Sequence, residues 1–270
     1  MEYKQFLNYV TGDDEFFIVY DKEGNIVYPI TEDAQKRILN ISENGLIDPT
    51  THKPYEIKEF TPNDDDISRI IRYTDASYEL DATTKIFVKK KIYDEIDKYI
   101  TMAKKNDEEF VLVMADADEF KSVNESYGHP AGDAVLKSIA QRMCNRVRTG
   151  DDREKDLIGR YGGEEFLFVI KNVGYNSAFD RVENIRTDIS DKAVTFDGKN
   201  IDVRVSFGIV HIPIETISFF RGENVRSKDI RKIAIKEADR QLDFSKKNGK
   251  NQTNGAVLSK KMAKDWLKRI

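Results

Sequence analysis

Short apolar segments separated by turn residues characterise the beginning of the chain. The apolar stretches Phe16–Tyr20 and Ile26–Tyr28 flank a polar turn, an arrangement that predicts a β-hairpin. A helix opened by a threonine N-cap is predicted over residues 31–39, and a second pair of strands around residues 48–54. Residues 1–66 are therefore expected to form a small mixed α/β module.

The pattern becomes regular after residue 80, where amphipathic helical segments alternate with apolar strands and polar turns. Residues 67–80 are expected to be a helical connector, residues 81–258 the main domain, and residues 259–270 a C-terminal helix. Within the main domain Phe110–Ala115 is continuously apolar, which predicts a strand covered on both faces. This alternation predicts an α/β (α+β) fold, in which a central sheet is flanked by helices. The predicted helices lie near residues 92–103, 135–147, 178–189 and 228–247.

The composition indicates a soluble globular protein and excludes several other classes. The chain has 44 Lys+Arg against 48 Asp+Glu, 39% hydrophobic residues and 34% charged residues, which is typical of a soluble globular protein. No apolar run approaches the roughly 20 residues of a transmembrane helix, and no signal-peptide pattern is visible, so a cytoplasmic protein is expected. The mildly acidic balance argues against nucleic acid as a partner. The single cysteine, Cys144, excludes an intrachain disulfide and a Cys-based zinc cluster.

Candidate chemistry is concentrated where the buried strand ends. The stretch Asp-Ala-Asp-Glu-Phe-Lys-Ser-Val-Asn begins with Asp116, whose direction the strand would fix. Further along, Gly162 and Gly163 permit a tight hairpin turn, and Glu164 and Glu165 follow them directly. Two adjacent acids repel each other unless a cation or a proton transfer uses them. Asp116 and Glu164 offer hard oxygen ligands, which favour Mg²⁺ or Mn²⁺ over Zn²⁺ and suit the attack of a hydroxyl on a phosphate.

Three motifs occur in a characteristic order and spacing. They are Asp-x-Asp-x-Phe-Lys-x-x-Asn from Asp116, Gly-His-x-x-Gly-Asp from Gly128, and Arg-Tyr-Gly-Gly-Glu-Glu-Phe from Arg160. With Val205–Ile209 and the basic residues near the end, they resemble the diguanylate cyclase (GGDEF) family over about residues 81–258. The resemblance implies a fold like the palm of nucleotide cyclases and polymerases. It also implies a nucleotidyltransferase that condenses two GTP into cyclic di-GMP with loss of two pyrophosphates.

The resemblance assigns catalytic and metal-binding roles to matching residues. Asp116, Glu164 and the carbonyl of Ala117 would hold Mg²⁺ or Mn²⁺. Glu165 would bind a second metal ion or help to deprotonate the attacking 3′-hydroxyl. The product contains two nucleotides and one chain supplies one set of binding groups, so a homodimer is expected.

The resemblance also implies which residues bind GTP. Asn124 and Asp133 would bind the edge of the guanine base. A carboxylate can accept hydrogen bonds from the N1–H and the 2-amino group of guanine. Adenine has no donors at these positions, so the pair would favour GTP over ATP. The remaining substrate-binding residues would hold the triphosphate or let it approach the backbone: Phe120, Lys121, Lys246, Lys250, Gly162 and Gly163.

A second nucleotide site is indicated just before the hairpin. Arg153 and Asp156 form an Arg-x-x-Asp arrangement that five residues separate from Gly162, and they resemble the site at which cyclic di-GMP inhibits family members. An arginine can clamp a phosphate and the Hoogsteen edge of guanine. The segment is so highly charged, however, that this spacing could also arise by chance.

Two alternatives and one weak resemblance complete the interpretation. A catalytically silent GGDEF-type domain could bind GTP or cyclic di-GMP as a receptor, against which the intact Asp116, Glu164 and Glu165 argue. A related cyclase could make a different dinucleotide, against which Asp133 argues. The N-terminal module is expected to be a sensory or dimerising unit and resembles a PAS domain. The entry motif of the main domain reads Asp81-Ala-Thr-Thr, which lacks an apolar anchor usual in the family.

Overall fold

The structure is a computed structural model that describes residues 15–21, 26–28, 55–60, 67–75, 80–148 and 156–268. The chain divides between Glu79 and Leu80 into two compact units. Among the described helices, none combines the length and the apolar character needed to cross a bilayer.

The first unit contains a four-stranded antiparallel sheet in the order β2-β1-β4-β3. Its strands are β1 (Glu15–Asp21), β2 (Ile26–Tyr28), β3 (Tyr55–Phe60) and β4 (Ile67–Asp75). The pairing of β1 with β2 confirms the predicted hairpin. The predicted helix over residues 31–39 and the residues 48–54 around which a strand pair is predicted lie outside the described residues. The PAS-like character of this unit stays a prediction.

The predicted helical connector over residues 67–80 is wrong for most of its length. Residues 67–75 form strand β4, which pairs with β1 on one side and with β3 on the other. The physical reason is visible in the sequence of this segment, Ile-Ser-Arg-Ile-Ile-Arg-Tyr-Thr-Asp, since β-branched and aromatic residues favour strands. The segment between the two parts of the chain is therefore mainly part of the first unit's sheet.

The second unit is a mixed α/β domain with a central six-stranded sheet in the order β12-β11-β6-β8-β7-β5. The sheet is mixed, because β12 runs parallel to β11 and β5 parallel to β7, whereas the other neighbours are antiparallel. This confirms the expected central sheet flanked by helices. The elements are β5 (Phe87–Val88), α1 (Lys89–Asn106), β6 (Phe110–Ala117), α2 (Phe120–Tyr127), α3 (His129–Cys144), β7 (Leu157–Arg160), β8 (Glu165–Lys171), α4 (Tyr175–Ser190), the ribbon β9 (Val194–Phe196) and β10 (Lys199–Ile201), β11 (Val205–Ile212), α5 (Ile214–Gly222), α6 (Ser227–Lys247), β12 (Thr253–Val257) and α7 (Lys260–Leu267).

Strand β6 lies in the middle of this sheet, and every one of its residues is buried. Its side chains alternate between two apolar cores, as the period of a strand requires. Val111, Val113 and Ala115 join the core that includes α3 and α4, whereas Leu112 and Met114 join the core that includes α1 and α6. The predicted burial of β6 on both faces is thus confirmed.

The C-terminal helix α7 packs against the domain that precedes it. Ala263 is fully buried, and Met262, Trp266 and Leu267 pack against the core that includes α1 and α6. Ser259 caps the helix by accepting a hydrogen bond from the backbone N–H of Met262 at 3.3 Å. The apolar face of this tail is therefore used within the chain.

Gly208 lets β11 and α6 approach each other closely. A Cβ atom at this position would overlap the carbonyl oxygen of Ala238 and the backbone nitrogen of Leu242. We expect Gly208→Ala to lower the free energy of unfolding by about 1–3 kcal/mol, because backbone atoms cannot move aside as a side-chain tip can. Urea unfolding followed by the fluorescence of Trp266, the single tryptophan, would report on this unit.

Gly222→Ala is the matched control, because a Cβ there would meet nothing within 4 Å. It should change the free energy of unfolding by less than about 0.5 kcal/mol. Equal stability of the two variants would contradict the close approach of β11 to α6.

Candidate active site

The end of β6 and the β7–β8 hairpin meet at one edge of the second unit's sheet. In the antiparallel pairing of β6 with β8, Asp116 lies opposite Glu165. The backbone N–H of Ala117 donates a hydrogen bond to the carbonyl oxygen of Glu164 at 3.2 Å. The structure thus brings together the three carboxylates that the sequence singled out, Asp116, Glu164 and Glu165.

The two glycines shape the tip of the hairpin in different ways. The backbone N–H groups of Tyr161 and Gly162 donate to the carbonyl oxygen of Glu165 at 2.8 and 3.3 Å. A Cβ on Gly162 would lie 2.6 Å from Oε2 of Glu165, so any larger residue would displace this carboxylate. A Cβ on Gly163 would meet nothing within 4 Å. Gly163 therefore leaves the outer side of the tip open to a ligand.

Arg160 joins the hairpin tip to the first residues of the second unit. Its guanidinium donates to the carbonyl oxygen of Gly163 at 3.0 and 2.7 Å, and to both carboxylate oxygens of Asp81 at 3.0 and 3.1 Å. Asp81 also accepts from the backbone N–H and the hydroxyl of Thr84 at 2.8 and 2.7 Å. Burial alone would raise the pKa of Asp81, but the hydrogen bonds from Thr84 and Arg160 outweigh it and bring the pKa below its usual value. The polar contacts of the entry motif are thus present although its apolar anchor is absent.

Asp116 is a buried carboxylate with a lysine as partner. Nζ of Lys246 lies 2.9 Å from Oδ2 of Asp116. Burial raises the pKa of Asp116, the hydrogen bond and charge of Lys246 oppose that rise, and the negative charges of Glu164 and Glu165 add to it. The net pKa is above its usual value, chiefly because burial disfavours the charged form of the carboxyl.

The donor set at this edge suits a hard divalent cation. Asp116 and Glu164 provide carboxylate oxygens, and Ala117 provides a backbone carbonyl. Among the residues described, no group of three or more His, Cys, Asp or Glu side chains could hold a metal ion. Mg²⁺ usually takes only one or two carboxylates and fills its other positions with water and substrate phosphates. A site with two carboxylates and one backbone carbonyl therefore fits the few protein ligands that such an ion takes.

Basic groups and a helix start lie beside the carboxylates. Phe120 and Lys121 open α2, and the first N–H groups of a helix have no acceptor within the helix, which favours an anion there. The side chain of Lys121 is 88% exposed, and its Nζ lies 3.6 Å from Oε1 of Glu125. Lys250 lies beyond the end of α6 and places its Nζ 2.9 Å from Oε1 of Glu119, whose hydrogen bond raises the pKa of the lysine.

The two residues expected to read guanine lie on neighbouring helices. Asn124 is on α2, and Asp133, which is exposed, is in the first half of α3. Gly132 allows Asn124 to lie against α3. A Cβ on Gly132 would overlap Oδ1 of Asn124 and would come within 3.1 Å of Cζ of Phe120. The position of the Asn124 amide therefore depends on the absence of a side chain at residue 132.

Asp118 has a structural role, as its place in a turn suggests. Its Oδ1 accepts from the hydroxyl of Ser206 at 2.8 Å, and its Oδ2 accepts from the backbone N–H of Asn251 at 2.9 Å. These bonds attach the loop between β6 and α2 to β11 and to the basic segment after α6. Asp118 thus fixes the segment that contains Lys250 and Asn251 relative to the start of α2.

A group of cations and aromatic rings supports the hairpin, and the sequence analysis missed it. The rings of Tyr93 and Tyr161 lie 6.0 Å apart, with Nζ of Lys89 3.9 Å from the centre of Tyr161 and the guanidinium of Arg231 3.9 Å from the centre of Tyr93. Burial, the hydrogen bond with Tyr161 and the nearby charge of Glu165 raise the pKa of Tyr93, so its hydroxyl stays protonated. The only signal in the sequence was the spacing of Lys89 and Tyr93, one helical turn apart, which is common on many helices.

Comparison with known proteins identifies the family. The model of the family described as "Diguanylate cyclase, GGDEF domain" matches residues 78–252, more than half of the chain. The chain belongs to this family. The match contains the whole edge formed by Asp116, Glu164, Glu165 and Lys246.

Named GGDEF relatives are moderately similar. Diguanylate cyclase A of Treponema denticola is 34% identical over 141 residues, which cover 52% of this chain and 33% of that protein. The probable diguanylate cyclase DgcF of Escherichia coli (strain K12) is 27% identical over 188 residues, which cover 70% of this chain and 55% of that protein. The matched part of the chain thus spans between about a third and a little over half of the length of these relatives.

Solved GGDEF structures have the fold of the second unit. The coiled coil and GGDEF domain of DgcB from Caulobacter crescentus, in complex with c-di-GMP, matches with a TM-score of 0.57 at 22% identity and covers 67% of this chain and 86% of that chain. The diguanylate cyclase SiaD from Pseudomonas aeruginosa, in complex with its activator SiaC, matches with a TM-score of 0.54 at 26% identity and covers 66% of this chain and 61% of that chain. The likeness to DgcB supports the fold alone.

The expected inhibitory site consists of Arg153 and Asp156, of which the structure describes Asp156. Arg153 lies outside the described residues. The carboxylate of Asp156 is fully buried and accepts from the backbone N–H groups of Arg148 and Lys171 at 2.9 and 3.0 Å, and from the side chains of Arg148 and Arg181 at 3.0 and 2.9 Å. Donors within the chain thus bind both oxygens of Asp156, and its role in an inhibitory site stays a prediction.

The Asp81–Arg160 contact gives the second unit a pH-dependent stability. A carboxyl whose pKa is lowered by folding stabilises the folded state above its unfolded pKa, about 4, and loses that contribution as the pH falls through its folded pKa. We expect Asp81→Asn to lower the free energy of unfolding by about 1–3 kcal/mol at pH 7. The difference from the wild type should shrink as the pH falls below about 4, measured by urea unfolding followed by Trp266 fluorescence.

Asp94→Asn is the control, because it removes the same charge from an exposed position on α1. Its effect on the free energy of unfolding should stay below about 0.5 kcal/mol. A difference between wild type and Asp81→Asn that does not vary between pH 7 and pH 3 would contradict the effect of Arg160 and Thr84 on Asp81.

Proposed function

We propose that this chain is a diguanylate cyclase that condenses two GTP molecules into cyclic di-GMP and two pyrophosphates, with Mg²⁺ or Mn²⁺ as cofactor, in bacterial second-messenger signalling. One observation supports the proposal above the others. The pairing of β6 with β8 places Asp116, Glu164 and Glu165 at one edge, beside Lys246 and the start of α2. Family membership and the names of the relatives support the same reaction.

In the proposed reaction the carboxylates and basic groups have separate tasks. Asp116, Glu164 and the carbonyl of Ala117 would hold the divalent cation, which lowers the negative charge that a hydroxyl meets as it approaches a phosphate. The start of α2 at Phe120 and Lys121, together with the other basic side chains of the site, would orient the triphosphate so that its α-phosphorus faces the second nucleotide.

The bond changes follow from this placement. The 3′-oxygen of one GTP forms a bond to the α-phosphorus of the other, while the bond from that phosphorus to the pyrophosphate breaks and its electron pair leaves with the pyrophosphate. Glu165 would accept the proton of the 3′-hydroxyl or bind a second metal ion, and its position opposite Asp116 and beside Gly162 supports either role. The same exchange in the opposite direction closes the ring.

Recognition of guanine rests on Asn124 and Asp133 in this proposal. The carboxylate of Asp133 would accept from the N1–H and 2-amino group of guanine. Adenine has no donors at these positions, so an adenine that covered this carboxylate would leave it unpaired, at a cost of about 1–3 kcal/mol. GTP should therefore react in preference to ATP.

The reaction also requires assembly and a source of GTP. Each chain contributes one set of nucleotide-binding groups and the product contains two nucleotides, so we propose that two chains face each other with their hairpins apposed. The first unit is the natural means of bringing the chains together. We place the reaction in the cytoplasm, where GTP is available.

Inhibition by cyclic di-GMP through Arg153 is a separate part of the proposal. An arginine can bind a phosphate and the Hoogsteen edge of guanine without help from Asp156. Because Arg148 and Arg181 already bind the carboxylate of Asp156, a guanine that used this carboxylate would have to displace one of them. Feedback that requires Asp156 would thus be weaker than feedback through an exposed pair.

The decisive experiment identifies the product. Purified protein is incubated with GTP and Mg²⁺, with GTP and Mn²⁺, and with ATP and Mg²⁺, and the products are analysed by mass spectrometry. Cyclic di-GMP from GTP, with no cyclic dinucleotide from ATP, supports the proposal. Binding of GTP without turnover in either metal would favour the silent receptor instead.

Removal of one carboxylate should stop the reaction without unfolding the protein. We expect Glu164→Gln to lower the rate of cyclic di-GMP synthesis at least about a hundredfold, because the amide keeps the shape of the side chain but loses the negative charge that holds the cation. The rate is measured by mass spectrometry of the product, and the fold by circular dichroism.

Glu223→Gln is the matched control, since Glu223 is an exposed acid after α5. It should synthesise cyclic di-GMP at the rate of the wild type. Comparable rates in Glu164→Gln and the wild type would mean that the metal site has been assigned wrongly.

The dependence of Asn124 on Gly132 gives a further test. We expect Gly132→Ala to raise the KM for GTP about tenfold with a smaller change in kcat, because the atoms nearest the added methyl group belong to Asn124 and Phe120 and not to Asp116, Glu164 or Glu165. Helix stability should not suffer, because alanine favours helix more than glycine does. An unchanged KM, in a variant that folds normally, would show that Asn124 does not bind the base.

A further inference from the structure

Lys246 occupies the cationic position at the candidate metal site. It lies near the end of α6, and its Nζ lies 2.9 Å from Oδ2 of Asp116, with the two side chains 37% and 11% exposed. This is a contact between distant parts of the chain, made at the end of the central strand. Without a cation at this position, Asp116 would be a buried carboxylate facing Glu164 and Glu165, which is a costly arrangement.

Three basic residues near the end of α6 have different acidic partners. Lys246 binds Asp116, Lys247 binds Asp243 one turn back on its own helix, and Lys250 binds Glu119. Of these three lysines, Lys246 alone is paired with a residue expected to hold the metal ion. The neighbouring Lys247 carries the same charge but directs it to a surface acid, which makes it a natural control.

We propose that Lys246 and the divalent cation compete for Asp116. In the nucleotide-free protein the ammonium group of Lys246 neutralises the carboxylate, and the metal ion takes this carboxylate only when the ammonium group moves to the triphosphate. The inference rests on the proposed function in one respect, that Asp116 is a metal ligand. It adds that the metal ion binds weakly to the protein alone and binds tightly once a nucleotide is present.

The charges favour such an exchange at every stage. Before binding, the ammonium group compensates Asp116. After binding, the metal ion compensates Asp116 and Glu164, while phosphate oxygens offer Lys246 charge-assisted hydrogen bonds that replace the one it lost. The carboxylate of Asp116 therefore has a cationic partner both before and after the exchange. An unpaired buried charge would make the exchange slow or unfavourable.

The test measures binding of Mn²⁺ to the full chain without nucleotide, by the loss of the free Mn²⁺ signal in electron paramagnetic resonance. Lys246→Met should bind Mn²⁺ about tenfold more tightly than the wild type, because the competing charge in direct contact with Asp116 is gone. Lys247→Met removes the same charge one residue away and should change the Mn²⁺ affinity less than about twofold, because exposed charges are screened. Lys246→Arg keeps a cation against Asp116 and should bind Mn²⁺ as weakly as the wild type.

A second substitution tests whether the tighter binding of Mn²⁺ depends on Asp116. Adding Asp116→Asn to Lys246→Met should abolish the tight binding of Mn²⁺. Lys246→Gln serves as a second variant if Lys246→Met does not fold, as judged by Trp266 fluorescence.

The outcomes separate the inference from the proposed function. If Mn²⁺ binds in an Asp116-dependent way but Lys246→Met and Lys246→Gln bind it no more tightly than the wild type, the competition is overturned while the metal site stands. If Lys247→Met tightens binding as much as Lys246→Met, the effect is one of overall charge and the competition is also overturned. If no variant binds Mn²⁺ through Asp116, both the metal site and the competition are wrong.

Discussion

The antiparallel pairing of β6 with β8 is the constraint on which the rest of the second unit depends. This pairing buries β6 between two apolar cores and sets Asp116 opposite Glu165 at the same time. A shift of the register by one residue would turn every side chain of β6 to the other face, so the register that fills both cores is also the one that assembles the acidic edge. Stability and chemistry are therefore specified by one set of hydrogen bonds.

The acidic edge lowers the stability of the folded protein. Burial and the charges of Glu164 and Glu165 make the ionised form of Asp116 unfavourable, and only part of this cost is offset by Lys246. A site that binds a cation has to keep such excess negative charge, because full neutralisation by the protein's own lysines would leave nothing for the ligand to gain. The apolar cores on both faces of β6 supply the stability that the edge lacks.

Much of the second unit could be predicted from the sequence because its signals are local. The apolar run of β6, the amphipathic period of α1 and the glycines of the hairpin each depend on residues close together in the chain. The contacts that were missed join distant parts of it: Lys246 with Asp116, and Arg231 with Tyr93. Strand β4 was missed because a short segment rich in isoleucine satisfies a helical period as well as a strand, and only its pairing with β1 and β3 decides.

Arg160 connects the beginning of the GGDEF unit to the tip of the β7–β8 hairpin. One guanidinium holds Asp81, the second residue of that unit, and the carbonyl of Gly163 at the hairpin tip. The two ends of this connection cannot move independently, since a shift of Asp81 has to stretch or break the bonds that orient the tip. A displacement of Asp81 would therefore reach the hairpin tip through one side chain, that of Arg160.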